Sequence, residues 1–192
     1  MSKKFLAVVV KALNIGIASM WISLFVSAQA GWVAESADVA SPAAGQTKQV
    51  NIVIDKAIRV GMGRNIVVEF TDPDCPYCRK LADYMNKRKD VTRYVFLYPL
   101  TQLHPQAMEK SKFILCSKNQ AKALEDVMSG KYDKEKIPSC KNPNTDQMLE
   151  EHKKMAENVS VTSTPTLIVN GQLVQGANFE LIEKIIGPNK IQ

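Results

Sequence analysis

Residues 66–81 read IVVEFTDPDCPYCRKL and combine a strand, a short turn and the start of a helix. Ile66 to Phe70 is a β-branched apolar run bounded by polar and turn-forming residues, which predicts a buried strand. We expect Asp74 to cap a helix that begins at Cys75, with Pro76 in the first turn, where its missing N–H costs nothing. A Cys-x-x-Cys pair that follows a strand and opens a helix favours thiol redox chemistry.

The flanking sequence extends this unit in both directions. The predicted elements are a strand over 50–54, the helix continuing to about Arg88, a strand over 93–97, mostly helical structure over 104–158, a strand over 166–169 with its return at 173–174, and a closing helix over 179–186. Asn170-Gly171 between two strands is a strong hairpin signal. The order predicts an α/β fold with a mixed sheet and a helical insertion at about 103–160.

The Cys-Pro-Tyr-Cys segment has a direct chemical interpretation. The thiolate is the reactive form of cysteine, and the first turn of a helix stabilises an anion through unpaired N–H groups and the positive end of the dipole. We therefore assign Cys75 as the attacking nucleophile and Cys78, one turn along, as the resolving thiol. Pro76 and Tyr77 lie between them and are assigned to substrate binding.

Glu69 lies in the predicted buried strand, six residues before Cys75. Burial should raise the pKa of its carboxyl group, so that it could accept a proton from Cys78. The alternative is a carboxylate that points to solvent at a strand edge. His104 and His152 have polar neighbours in sequence, and we predict that both are surface residues.

The chain has four cysteines, which allow three pairings. The spacing favours Cys75 with Cys78 and Cys116 with Cys140, the second pair as a structural disulfide that adds roughly 3 kcal/mol. A zinc site of all four is an alternative, but the second pair is split by a long segment. An inert Cys75–Cys78 disulfide is a further alternative, although so short a loop stabilises little. We expect no metal and no cofactor.

The N-terminus predicts export. Residues 1–30 begin with Lys3 and Lys4, continue with a long apolar stretch and end in Ala28-Gln29-Ala30, which is typical of a secretory signal cleaved after Ala30. An uncleaved anchor is the alternative. Residues 31–48 are expected to form a flexible linker and residues 49–192 the folded domain. Without the signal the net charge of +6 falls to about +3, and no basic cluster interleaved with aromatic residues suggests nucleic-acid binding.

Three segments together resemble the DsbC/DsbG family of periplasmic disulfide isomerases. They are Phe70-Thr71-Asp72 with the Cys-Pro-Tyr-Cys segment, the stretch from Leu115-Cys116 to Ser139-Cys140, and Ser163-Thr164-Pro165-Thr166 with Asn170-Gly171. The resemblance covers about residues 65–187. It implies a thioredoxin-like fold in which a cis Pro165 packs against the cysteine pair, Thr164 and Pro165 contact substrate, and a DsbD-like membrane thiol reductase keeps the pair reduced.

The chain also departs from that family. Only Gly31 to Arg64 is available where the family has its N-terminal dimerisation domain, so we expect a monomer, with a dimer left open. Pro76 replaces the usual glycine, and Cys-Pro-x-Cys also occurs in DsbA oxidases. Glu69 is likewise more similar to the residue found in thioredoxin or DsbA than to that of DsbC.

The leading functional prediction is therefore a DsbC-like isomerase or reductase of exported proteins. The alternatives are a DsbA-like oxidase, and a holdase or assembly factor for a secretion or conjugation machine, whose function would survive Cys75→Ser.

Overall fold

A computed structural model describes residues 5–9 and 49–189 of the chain. The predicted cleavage point after Ala30 and the linker over 31–48 lie outside the described residues. Within the predicted signal, Phe5–Val9 forms strand β1 and pairs antiparallel with β2, Gln49–Val53.

A five-stranded mixed sheet organises the domain. Its strands are β3 (Ile58–Val60), β4 (Asn65–Thr71), β5 (Val91–Leu97), β6 (Thr166–Val169) and β7 (Gln172–Gln175), in the spatial order β3-β5-β4-β6-β7. The central strand β4 runs parallel to β5 and antiparallel to β6. The β4 strand needs apolar side chains on both faces because both faces are covered, which explains its near-continuous apolar run. The predicted α/β class with a mixed sheet is confirmed.

Five α-helices lie in the described part of the chain: α1 (Pro76–Asn86), α2 (Ala107–Cys116), α3 (Gln120–Met128), α4 (Thr145–Asn158) and α5 (Phe179–Ile186). Helices α2, α3 and α4 make up the predicted insertion. None of the helices in these ranges is both long and apolar enough to cross a membrane.

The two faces of β4 bury different groups. Phe70 stacks on Phe96 of β5 with ring centroids 5.3 Å apart, and this face packs against α4 through Met155 and Ala156. The opposite face carries Val67, which packs with Leu81 of α1 and other residues of α1, β6 and α5. Since side chains alternate along a strand, Glu69 and Thr71 lie on this α1 face.

Two local predictions can be compared with the structure. The Asn170-Gly171 hairpin is present, with φ of 44° and 89° at the two residues, as a tight turn between twisted strands requires. The N-cap prediction is wrong by one residue: Cys75 is the N-cap of α1, and Pro76 is its first helical residue. Asp74 caps nothing because its carboxylate pairs with Arg79 and Lys110 instead.

His152 is buried, which contradicts its predicted place on the surface. It lies on the inner side of α4, where its Nδ1 accepts the Leu97 N–H at 2.9 Å and its Nε2 lies 2.7 Å from the Lys56 carbonyl oxygen. Burial lowers the pKa of His152. The polar residues beside it in sequence occupy the opposite face of the helix, so they did not indicate its environment.

Candidate active site

Cys75 lies where β4 has ended and α1 begins. Its side chain is 6% exposed, and its backbone N–H donates to the Asp72 carbonyl at 3.2 Å, which closes the turn between strand and helix. The Cys75 carbonyl accepts the Arg79 N–H at 3.1 Å, the first hydrogen bond of the helix. The N-cap position therefore places the sulfur at the end of the helix where free N–H groups favour an anion.

Cys78 lies one turn along α1 and is fully buried. Its sulfur accepts the Asp72 N–H at 3.5 Å. Both Cys75 and Cys78 are free thiols. The backbone of Asp72 thus bonds to both cysteines, through its carbonyl to the Cys75 N–H and through its N–H to the Cys78 sulfur.

The two thiols have opposite acidities. A hydrogen bond from the Cys78 thiol is the main reason that the pKa of Cys75 falls to about 5, and the N–H groups of Cys78 and Tyr77 contribute in the same direction against the effect of burial. Burial raises the pKa of Cys78, and its hydrogen bond to Cys75 raises it further. Near neutral pH one thiolate is therefore available at Cys75 while Cys78 keeps its proton.

The segment before β6 reaches the cysteines from the other side. The Thr164–Pro165 peptide bond is cis, and the Thr164 carbonyl oxygen lies 3.5 Å from the Cys75 sulfur. Pro165 is buried, whereas Pro76 and Tyr77 are exposed, with 61% of Tyr77 accessible. The structure thus brings the predicted substrate-binding residues together around Cys75.

Glu69 is buried, so the alternative of a solvent-facing carboxylate is wrong. Its carboxylate accepts a hydrogen bond from Arg93 at 3.2 Å, and Arg93 also donates to Asn86 at 2.6 Å. This pair lines a cavity of about 290 Å³ between β4, α1 and α3. A cavity of this size, with the polar side chains of Glu69, Asn86 and Arg93 in its wall, has room for water.

Cys116 and Cys140 are joined by a disulfide with Cα atoms 5.8 Å apart. This bond excludes them as ligands in the alternative zinc site. Across residues 5–9 and 49–189, no cluster of three or more His, Cys, Asp or Glu side chains is arranged to hold a metal.

Sequence reasoning missed two residues at the site. The Asp72 carboxylate is completely buried, and it accepts a hydrogen bond from His104, which is only partly exposed rather than on the surface. A polar residue directly after a buried strand and before the cysteines was the available signal for Asp72. The contact with His104 spans 32 positions and had no signal in the sequence.

Comparisons with known proteins agree with this geometry. A thioredoxin-like domain model matches residues 55–183. The chain is 34% identical over 117 residues to the probable thiol:disulfide interchange protein DsbC of Bordetella avium, and 32% identical over 136 residues to the thiol:disulfide interchange protein DsbC of Escherichia coli K12. These matches include 59% and 67% of this chain, but only 39% and 54% of the two relatives.

A solved structure of a disulfide interchange protein from Neisseria gonorrhoeae is 33% identical, with a TM-score of 0.60. The match covers 73% of this chain and all of that one. The cysteine pair at a helix start, the cis proline beside it and the extent of the matched domain lead to one assignment: the chain belongs to the thioredoxin-like family.

Proposed function

We propose that this protein is a DsbC-like thiol:disulfide isomerase or reductase that acts on disulfides of exported proteins through Cys75 and Cys78. The observation that carries the proposal is the pairing of a stabilised thiolate at Cys75 with a protonated, buried Cys78. The identity to proteins named thiol:disulfide interchange protein supports it.

The reaction begins when the Cys75 thiolate attacks one sulfur of a substrate disulfide. A mixed disulfide forms, and the other substrate sulfur leaves as a thiolate. In isomerisation, a different substrate thiolate attacks the mixed disulfide, forms a new substrate disulfide and regenerates the Cys75 thiolate. In reduction, Cys78 loses its proton and attacks the Cys75 sulfur, so the substrate leaves reduced and two electrons have passed from the cysteine pair.

Four residues around Cys75 are proposed to hold the substrate. Thr164 and Pro165 would present backbone groups to an extended segment, and the exposed Pro76 and Tyr77 would supply apolar contact area. Glu69 is proposed as the group that takes the Cys78 proton, with water in the adjoining cavity as its route to solvent.

A disulfide oxidase is the second candidate, and one observation favours it. Stabilising the Cys75 thiolate stabilises the reduced pair, which makes the Cys75–Cys78 disulfide more oxidising.

For the leading function, export to the periplasm and re-reduction by a DsbD-like membrane thiol reductase complete the proposal.

The redox state of the pair in the cell tests the direction of electron flow. Cells are quenched with acid, free thiols are alkylated, and the peptide that contains Cys75 and Cys78 is analysed by mass spectrometry. The Cys116–Cys140 disulfide serves as an internal control, since it should stay unmodified. A mostly alkylated pair is expected, whereas a mostly oxidised pair would exclude the reductive function in favour of the oxidase. Function that survives Cys75→Ser would exclude both in favour of a holdase.

A further inference from the structure

Asp72 is a buried carboxylate directly before the active-site turn. None of its surface is exposed, and its two oxygens accept three hydrogen bonds. Oδ1 accepts the Asp74 N–H at 2.7 Å, and Oδ2 accepts the Leu100 N–H at 2.6 Å and lies 3.0 Å from Nδ1 of His104. A buried carboxylate is costly without such donors, so these bonds determine where the Asp72 side chain lies.

The backbone of the same residue contacts the reactive sulfurs. The Asp72 N–H donates to the Cys78 sulfur at 3.5 Å, and the Asp72 carbonyl accepts the Cys75 N–H at 3.2 Å. A group that fixes the Asp72 side chain therefore also fixes the relative positions of the two cysteines.

His104 supplies one of the three donors from a separate part of the chain. It lies on the loop between β5 and α2. Its backbone N–H donates to the Leu100 carbonyl at 2.8 Å, so the loop backbone is held in place. An ionised carboxylate can only accept hydrogen bonds, so Nδ1 of His104 carries the proton in this contact. Four groups form these hydrogen bonds: the buried Asp72 carboxylate, the backbone N–H groups of Asp74 and Leu100, and the His104 imidazole. A substitution of His104 removes the imidazole and leaves the other three groups present.

We propose that His104 is a positioning residue for the thiol chemistry: its Nδ1–H, bonded to Asp72, holds the turn from Asp72 to Cys75 in the geometry in which Cys78 stabilises the Cys75 thiolate. The proposal rests on Cys75 being the reactive thiol of the proposed function. It assigns His104 no contact with substrate.

Removing the His104 donor should change the pKa of Cys75 in two ways, both in the same direction. The Asp72 carboxylate loses one of its three hydrogen-bond donors, so its negative charge is less dispersed and opposes a thiolate nearby more strongly. Its backbone N–H is also less well placed at Cys78, whose hydrogen bond to Cys75 is the main stabilising contact. Both effects raise the pKa of Cys75. Arg79, the cation that also interacts with Asp72, bonds to Asp74 and Asp133 rather than to His104.

Two substitutions in the full chain distinguish the Nδ1–H donor from the rest of the imidazole. His104→Leu removes the donor, whereas His104→Asn places an uncharged amide N–H where Nδ1 was. The measurement is the pH dependence of Cys75 thiolate formation in the reduced protein, followed by thiolate absorbance and by alkylation rate. We expect His104→Leu to raise the pKa of Cys75 by about one pH unit, and His104→Asn and the exposed control Gln102→Leu to leave it close to that of the unmodified protein.

The outcomes are distinct. An unchanged pKa in His104→Leu overturns the positioning role, and so does an equal rise in the leucine and asparagine variants, because the donor would then not be the cause. Thermal unfolding of each variant checks that it is folded. If leucine unfolds the loop, a raised pKa of Cys75 in the asparagine variant, which keeps the donor, would by itself overturn the positioning role. A thiolate transition that persists in Cys75→Ser would instead contradict the proposed function itself.

Discussion

Two chemically identical thiols behave differently because of where the chain places them. Cys75 is the N-cap of α1 and receives hydrogen bonds from the Cys78 thiol and from backbone N–H groups, which lower its pKa. Cys78, three positions later, is enclosed by the core, and burial raises its pKa. A thiol that is buried and protonated cannot resolve a mixed disulfide until something accepts its proton, and Glu69 is the carboxylate that we propose for this step.

Replacing Glu69 with Gln should slow the resolution step and leave the first attack unchanged. Glutamine keeps the size and one acceptor oxygen for Arg93 but cannot accept a proton. We expect release of a mixed disulfide between Cys75 and glutathione to slow by about a hundredfold near neutral pH, while alkylation of Cys75 keeps its rate. Stopped-flow measurement of glutathione release tests this.

Glu125→Gln is the matched control for Glu69→Gln, because Glu125 lines the same cavity but is exposed. It should change neither rate. If Glu69→Gln releases glutathione as fast as the unmodified protein, Glu69 acts only as the ion-pair partner of Arg93.

At the level of elements, a cluster of charges joins the active-site helix to the insertion. Arg79 of α1 and Lys110 of α2 both bond Asp74, directly before Cys75, and Asp133, in the segment after α3. The Lys110 side chain is only 2% exposed. Hydrogen bonds from Arg79, and then from Lys110, lower the pKa of Asp133, so this carboxylate stays charged across the physiological range.

Lys110→Met should destabilise the domain by roughly 3 kcal/mol, since it removes a buried cation and leaves two carboxylates to share Arg79. Lys112→Met is the control, because Lys112 pairs with the exposed Asp146 and its loss should cost less than about 1 kcal/mol. Urea unfolding of both variants, with the cysteine pair oxidised, measures the difference. Equal effects of the two substitutions would mean that the buried cluster does not stabilise the junction.

This junction also shows the limit of sequence reasoning about elements. The closing helix over 179–186 and the hairpin at Asn170-Gly171 followed from local patterns and agree with the structure, because capping, periodicity and turn chemistry act within a few residues. The start of α1 was misplaced because the Asp74 carboxylate is engaged by Arg79 and by Lys110, which is 36 positions away. Nothing near Asp74 in the sequence indicates the contact with Lys110.

At the level of the whole molecule, the difference between local patterns and contacts made only in the folded chain explains why the environments of both histidines were predicted wrongly. The cysteines and the proline before β6 were found because a motif and a family resemblance mark them. His104 and His152 have partners that only the folded chain supplies, namely Asp72 and the backbone of Leu97 and Lys56. For His152 a weak signal existed, since Leu149, His152 and Ala156 share one face of α4.

The burial of His152 predicts a loss of stability in mild acid. Its pKa is lowered in the folded protein, so below the ordinary value of about 6.5 the unfolded chain binds a proton that the folded chain does not. The free energy of unfolding should therefore be highest above that pH and should fall by up to about 1.4 kcal/mol per pH unit as the pH decreases towards the folded-state pKa.

The measurement uses oxidised protein, in which Cys75 cannot titrate, with guanidinium unfolding at several values between pH 7 and pH 5 (about the range over which histidine gains its charge). His152→Gln loses one of the two histidine hydrogen bonds, so it should be less stable near pH 7 by about 1 to 2 kcal/mol. Because glutamine does not titrate, the difference between the two proteins should shrink as the pH falls. Asp133 does not interfere, because a carboxylate with a lowered pKa costs stability only below its ordinary range. Parallel pH profiles for the two proteins would contradict this prediction, because they would show that His152 binds protons equally in the folded and the unfolded chain, as a histidine whose pKa burial does not lower would do.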